Sequence, residues 1–230
     1  MSVLSILHCL IMDPEYVESI IKSTPEGMFS DRDIFGRWVS AEGIIYRDFN
    51  SNYYISDAEI ENVSFEKYIA GVDWGYEHYG AIVVIGITTD NKYILVKEYA
   101  DRHKEIDYWV DMANVIKNKY GNIIFYCDSA RPEHIARFRR EGVHAVNANK
   151  CVLSGIETIA GLYKTHKLYI SENVKRFKEE ISQYAWNSNT GEPIKTFDDV
   201  QDALRYAIYT YTETINKANR KGLQLLSEVL

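Results

Sequence analysis

The chain has 230 residues, 46% hydrophobic and 26% charged, enough to bury a substantial core in one domain with or without an appendage; wholesale disorder is excluded. Its 33 acidic against 26 basic side chains leave a net charge of −7, a balance that by itself argues against a nucleic-acid partner. Three cysteines (Cys9, Cys127, Cys151) contain no C-x-x-C pair, which excludes a zinc ribbon and fits a reducing, intracellular setting.

No stretch reaches the ~20 apolar residues of a membrane span. The nearest, 3–12, lacks a basic leader and a cleavage site, so it reads as a buried strand and not as a signal peptide. Asp13-Pro14-Glu15 then opens a helix to about Lys22, with Asp at the N-cap and Pro in the first turn. A second short helix runs from Ser30 to about Val39. A polar, aromatic connector, 46–62, follows, and a domain boundary is expected near residue 60.

Strand patterns begin there. Tyr68–Asp73 is apolar until it ends on an acid; Ala81–Thr88 and Lys92–Tyr99 form a hairpin about Thr89-Asp90-Asn91. A helix from Ile106 to about Lys119 stops at Gly121. Ile123–Cys127 is a buried strand that again ends on an acid, Asp128. Pro132–Glu141 is a helix and Val143–Val146 a fifth strand. Helices over Val152–Lys164 and Glu172–Tyr184, a hairpin around Asn187–Pro193 and a long helix from Asp198 to about Asn216 complete the pattern. The expected fold is α/β: a mixed sheet of five or more strands, helices on both faces, and the two Asp-ended strands parallel neighbours at its centre.

If those strands are neighbours, Asp73 and Asp128 lie within a few ångströms of each other. Asp198-Asp199-Val200-Gln201-Asp202 starts the last helix, where Asp199 and Asp202 share a face. Crowded carboxylates repel one another and suit hard cations, Mg²⁺ or Mn²⁺. Two such ions ~4 Å apart serve in-line phosphoryl transfer. Against this stands the plainer reading of the same acids as turn and helix-cap residues.

Gly71-Val-Asp-Trp-Gly75, Tyr126-Cys-Asp-Ser-Ala130 and Asp198-Asp-Val-Gln-Asp-Ala-Leu-Arg-Tyr-Ala207 resemble, in order, the three nuclease motifs of the large terminase subunit of tailed bacteriophages. Gly36–Tyr46 resembles the segment joining that family's ATPase and nuclease domains. The resemblance implies a ribonuclease H-like fold and metal-dependent endonuclease action on double-stranded concatemeric viral DNA, with Asp73, Asp128 and Asp202 as catalytic carboxylates. It implies residues 1–60 as the end of an ATPase domain and its linker, 61–216 as the nuclease domain and 217–230 as a tail. The ATPase domain, small subunit and portal would be partners, and the host cytoplasm the setting, apart from the mature virion. The family often carries His three residues before its last Asp; here Asp199 stands there as a possible extra metal ligand. No G-x-x-x-x-G-K-[ST] occurs, so only the carboxy-terminal half of a terminase is resembled.

Arg131–Lys150 directly follows Asp128 and carries Arg131, Arg137, Arg139, Arg140 and Lys150. Arg131, Arg137, Arg140, Lys150, Lys164 and Lys195 are candidate phosphate contacts, with a solvated helix face as the bland alternative. The segment 184–197 is a candidate flap. Trp74 reads as packing, His78 as a solvent-facing loop residue, and Arg205 and Tyr206 as structural partners. Two other functions stay open: an ATP-binding phosphotransferase of the actin and sugar-kinase type, and a non-catalytic DNA-binding or motor-docking module. The amphipathic tail, with Leu223, Leu225, Leu226 and Val229, reads as a docking peptide or a frayed helix end.

Overall fold

The computed structural model describes residues 13–36 and 43–227. The stretch 3–12, residues 37–42 of the joining segment and the tail's apolar side chains lie outside them.

A seven-stranded mixed sheet organises the chain. Its strands are β1 Tyr54–Ile55, β2 Phe65–Asp73, β3 Gly80–Thr88, β4 Tyr93–Asp101, β5 Ile124–Cys127, β6 His144–Asn147 and β7 Leu168–Ser171, in the order β1-β7-β4-β3-β2-β5-β6. β2, β3 and β4 pair antiparallel; β5 joins β2 and β6 in parallel, and β7 joins β4 and β1 in parallel. β3 is Gly-Ala-Ile-Val-Val-Ile-Gly-Ile-Thr, buried throughout, because both faces of a central strand are covered.

The helices are α1 Pro14–Ser23, α2 Met28–Asp33, α3 Asp57–Glu61, α4 Ile106–Tyr120, α5 Pro132–Arg140, α6 Val152–Lys164, α7 Lys175–Ile181 and α8 Asp199–Ser227. Alternation along the strands divides the core in two. Ile69, Val83 and Ile85 face α6 and α8 with Ile159, Ala203 and Ala207. Val72, Ile82 and Val84 face α4 and α5 with Trp109, Phe125 and Phe138.

Several elements differ from expectation. The expected sheet of five or more strands has seven, β1 and β7 being strands that the sequence pattern did not mark; the expected helix 172–184 shortens to α7. α2 begins at Met28 and ends at Asp33, and α8 continues past Asn216 to Ser227. The boundary expected near residue 60 coincides with no break in packing. Ile45, Tyr46 and Tyr53 are buried in the main core, Ile44 bridges Ala185, and β1 is part of the sheet.

Gly71 sets the position of the longest helix. A Cβ there would lie 1.9 Å from the Ala203 carbonyl oxygen, so only glycine lets α8 rest directly on β2. That close approach carries Asp202, one residue before Ala203, to the end of the strand that finishes at Asp73.

Candidate active site

β2 and β5 run parallel with Val72 opposite Cys127, so Asp73 and Asp128 leave the sheet side by side. The Asp128 amide donates to the Val72 carbonyl at 2.8 Å, and Trp74 Nε1 donates to the Asp128 carbonyl at 2.9 Å. Trp74 is buried against Phe138 and His134, as a packing residue should be, and it ties the two strand ends together.

The third arm is the start of α8. Glu180, with no exposed surface, accepts from the amides of Val200 (2.9 Å) and Gln201 (3.1 Å) and caps this helix from α7. Its other oxygen accepts from Arg176 Nε at 2.8 Å. Glu98 on β4 in turn accepts from the amides of Arg176 (2.7 Å) and Phe177 (3.0 Å), capping α7. Sheet, α7 and α8 are thus chained together by the half-buried Glu98 and the buried Glu180. Burial pushes the Glu180 carboxyl up to about 8, against bonds and charge that favour its ionised form.

Asp199 and Asp202 are held in this frame at 5% and 6% exposure. Asp199 meets His78 Nδ1 at 2.9 Å and Arg176 Nη2 at 3.4 Å. Asp202 meets Arg205 Nη2 at 2.8 Å and Lys195 Nζ at 3.5 Å, and accepts from the Tyr206 hydroxyl at 3.4 Å. Asp128 meets Lys150 Nζ at 2.5 Å. The Asp73 carboxylate differs: among the described residues it has neither an ion pair nor a side-chain hydrogen bond. Burial, then the charges of Asp202, Asp128, Asp199 and Asp198, raise its carboxyl well above the ordinary range.

Asp73, Asp198, Asp199 and Asp202 line a cleft of about 510 Å³, walled also by Glu77, His78, Tyr79, Arg102, Arg176, Lys195, Thr196 and Phe197. No three His, Cys, Asp or Glu side chains among the described residues are gathered closely enough to form a ready cation cage. Yet the donors are carboxylate oxygens, one of them without a partner and surrounded by like charge, and that chemistry fits a hard divalent ion.

The structure distributes the expected phosphate contacts unevenly. Lys150 and Lys195 lie on the acids themselves. Arg131 stands at the start of α5, beside Trp74 and Lys104. α5 then runs away from the strand ends, so Arg140 sits roughly 12 Å farther along its axis. Arg137 is paired with Asp107 and Glu141. Lys164 ends α6, roughly 18 Å along that helix, and is paired with Glu26 and Asp48. Its place is structural, because a helix that starts at the cleft must finish at the other end of the sheet.

His78 corrects expectation: its side chain is largely exposed, but its ring reaches Asp199. Arg205, 1% exposed, and Tyr206 are partners of Asp202, as their helix spacing implies. Arg176, Glu180, Tyr79 and Arg102 escaped the sequence reading. The i,i+4 spacing of Arg176 and Glu180 was the available signal; nothing local marks Tyr79 or Arg102.

A mixed sheet of this order, carrying acids at the ends of two adjacent parallel strands and a third set on a helix laid across it, is a ribonuclease H-like domain. The family model described as the terminase RNaseH-like domain matches residues 70–210, and the chain belongs to that family. The large terminase of a thermophilic bacteriophage, solved with ATP-gamma-S, superposes with a TM-score of 0.77 at 26% identity, covering 88% of this chain and 54% of that one. This chain therefore spans about half the length of that relative. The nuclease domain of the P22 large terminase gives a TM-score of 0.61 at 19% identity, covering 74% and 93%. The nuclease domain of the bacteriophage SPP1 large terminase, solved with bound Mn, gives 0.56 at 22%, covering 74% and 98%. No match is found among curated protein sequences.

Proposed function

We propose that this chain is a metal-dependent endonuclease that cuts double-stranded viral DNA concatemers during genome packaging. The observation that carries it is the Asp73 carboxylate, unpartnered and raised by burial and four neighbouring acids. Crowded carboxylates repel one another, and divalent cations sharing them offset that repulsion. Family membership and the Mn-bound SPP1 relative support the same reading.

In this reading Asp73, Asp128 and Asp202 are the catalytic ligands and Asp199 an additional one, for Mg²⁺ or Mn²⁺, two ions in all. Bound there, the ions supply Lewis-acid activation of the phosphodiester and of the attacking water. The protein's own part is positional. Gly71 and the Glu180 cap fix the start of α8 against β2, and Trp74 locks the ends of β2 and β5 together. Lys150 and Lys195 hold Asp128 and Asp202 in place. The segment 184–197 brings Thr196 and Phe197 over the cleft as a flap. The partners are duplex DNA, a terminase ATPase domain, the small subunit and the portal, in the host cytoplasm.

Plasmid DNA incubated with Mn²⁺ or Mg²⁺ is expected to be nicked and linearised, and Asp128→Asn to reduce cleavage by ~10⁴-fold, the scale on which a member of a catalytic unit counts. Cleavage that persists in Asp128→Asn overturns the site assignment; absence of metal-dependent cleavage by the unaltered chain overturns the function.

A further inference from the structure

Four basic side chains wall the acidic cleft, and three of them are committed. Arg176 is bound to Glu179, Glu180 and Asp199, Lys195 to Asp198 and Asp202, and His78 to Asp199. Arg102 is the exception: among the described residues its guanidinium has no carboxylate partner. Its neighbour Asp101 is occupied otherwise, accepting from the Arg102 backbone amide at 2.8 Å and facing Lys104 at 3.4 Å.

Arg102 is nevertheless held in place. Its guanidinium stacks 4.6 Å from the centre of the Tyr79 ring, which also carries Arg176 at 4.0 Å. The loop after β4 is braced to the loop after β2, because the His103 amide donates to the Tyr76 carbonyl at 2.9 Å and the two rings meet edge to face. A stacked guanidinium keeps its N–H edge free, and that planar fork matches two oxygens of a phosphate. A polyanion entering a cleft of carboxylates meets repulsion, so a fixed cation on the rim is where its backbone gains most. Glu77 lines the same cleft with no ion pair among the described residues and disfavours a phosphate laid on the first loop, leaving the Arg102 side.

We propose that Arg102, seated on Tyr79 at the rim of the acidic cleft, binds a backbone phosphate of the DNA duplex flanking the bond to be cut. This assignment rests on the endonuclease reading and adds to it a substrate-holding residue outside the metal cluster.

The test compares the full chain with Arg102→Ala and Arg102→Lys. Affinity for a fluorescent duplex is measured over a salt series with EDTA present, and plasmid cleavage is measured with Mn²⁺. Arg102→Ala is expected to bind the duplex about tenfold more weakly, the loss of one charge-assisted contact. Its salt slope should be smaller by about one phosphate, and its KM for cleavage higher with kcat within about twofold. Arg102→Lys should recover part of the affinity, retaining charge without the planar fork. Melting temperature and calorimetric Mn²⁺ affinity should match the unaltered chain, because the side chain is exposed and touches no acid. Unchanged affinity and slope in Arg102→Ala, with cleavage intact in the parent, overturn this assignment and leave the endonuclease reading standing. Lost Mn²⁺ affinity or a selective fall in kcat assigns Arg102 to the chemistry and also overturns it. A parent chain that neither binds nor cuts duplex DNA removes both.

Discussion

Two charged segments, one basic and one acidic, end up in opposite physical situations. The basic stretch of α5 keeps Arg131, Arg139 and Arg140 exposed, and Arg137 satisfies itself with nearby acids. At the acidic start of α8, Asp199 and Asp202 are buried; Asp199 is held by His78 and Arg176 from distant parts of the chain, and Asp202 by Lys195, Arg205 and Tyr206 close by. Exposed charges on a helix cost almost nothing and need no explanation. Buried like charges cost several kcal/mol unless something offsets them. Their persistence at one end of the sheet, beside an unpartnered Asp73, is therefore the more informative signal.

The contrast is broken most severely at Gly71. Gly71→Ala drives a methyl into the Ala203 carbonyl and lifts α8 from β2. A loss of about 3 kcal/mol is expected, together with loss of cleavage even where folding survives. Chemical denaturation and the plasmid assay measure the two effects; stability within about 0.5 kcal/mol of the parent would show that α8 does not depend on this contact.

A subtler cut removes the titratable group beneath the helix. The Glu180 carboxyl is raised from 4.5 to about 8, so the folded chain keeps a proton that the unfolded chain gives up. Its stabilisation is fully present below about pH 4.5 and is lost as pH rises through about 8. The melting temperature without metal should fall from about pH 5 to about pH 8, and Glu180→Gln should fall less, by roughly 4 °C, the scale of 1–2 kcal/mol at this length. Asp73, Asp198 and Glu98, also raised, add to the slope. Parallel pH profiles in the two proteins would remove Glu180 as the source.

The smallest effect is expected at Arg140. Arg140→Ala at the far end of α5 should change stability by less than about 0.5 kcal/mol and leave duplex affinity within about twofold. An affinity loss equal to that of Arg102→Ala would extend the DNA track along α5 and restore that helix as a binding face.

Much of this was readable from residues alone. Two apolar runs that each end on Asp, with a hairpin on one and a helix-linked crossover between them, place Asp73 beside Asp128 before any coordinates exist. α6 matches its expected limits because Val152–Lys164 has clear helical periodicity. β1 and β7 were missed because strands of two and four residues carry too little periodicity; their pairing is a tertiary event. Arg176 and Glu180 were not singled out, since burial of charge leaves no local mark. The same limit applied to the basic stretch, where spacing reveals a cluster but not that its helix leads away from the acids.

α8 has a mechanical meaning beyond its role in packing. Its first three turns lie on the sheet, and from residue 214 to 220 it is exposed, so one unbroken helix of 29 residues, roughly 43 Å long, leaves the globule. Asp199 and Asp202 occupy one end of a stiff rod whose stretch from 214 to 220 faces solvent. A force or rotation applied to that exposed stretch reaches the cleft without passing through a flexible joint, and the cleft's geometry becomes a quantity that can be set from a distance.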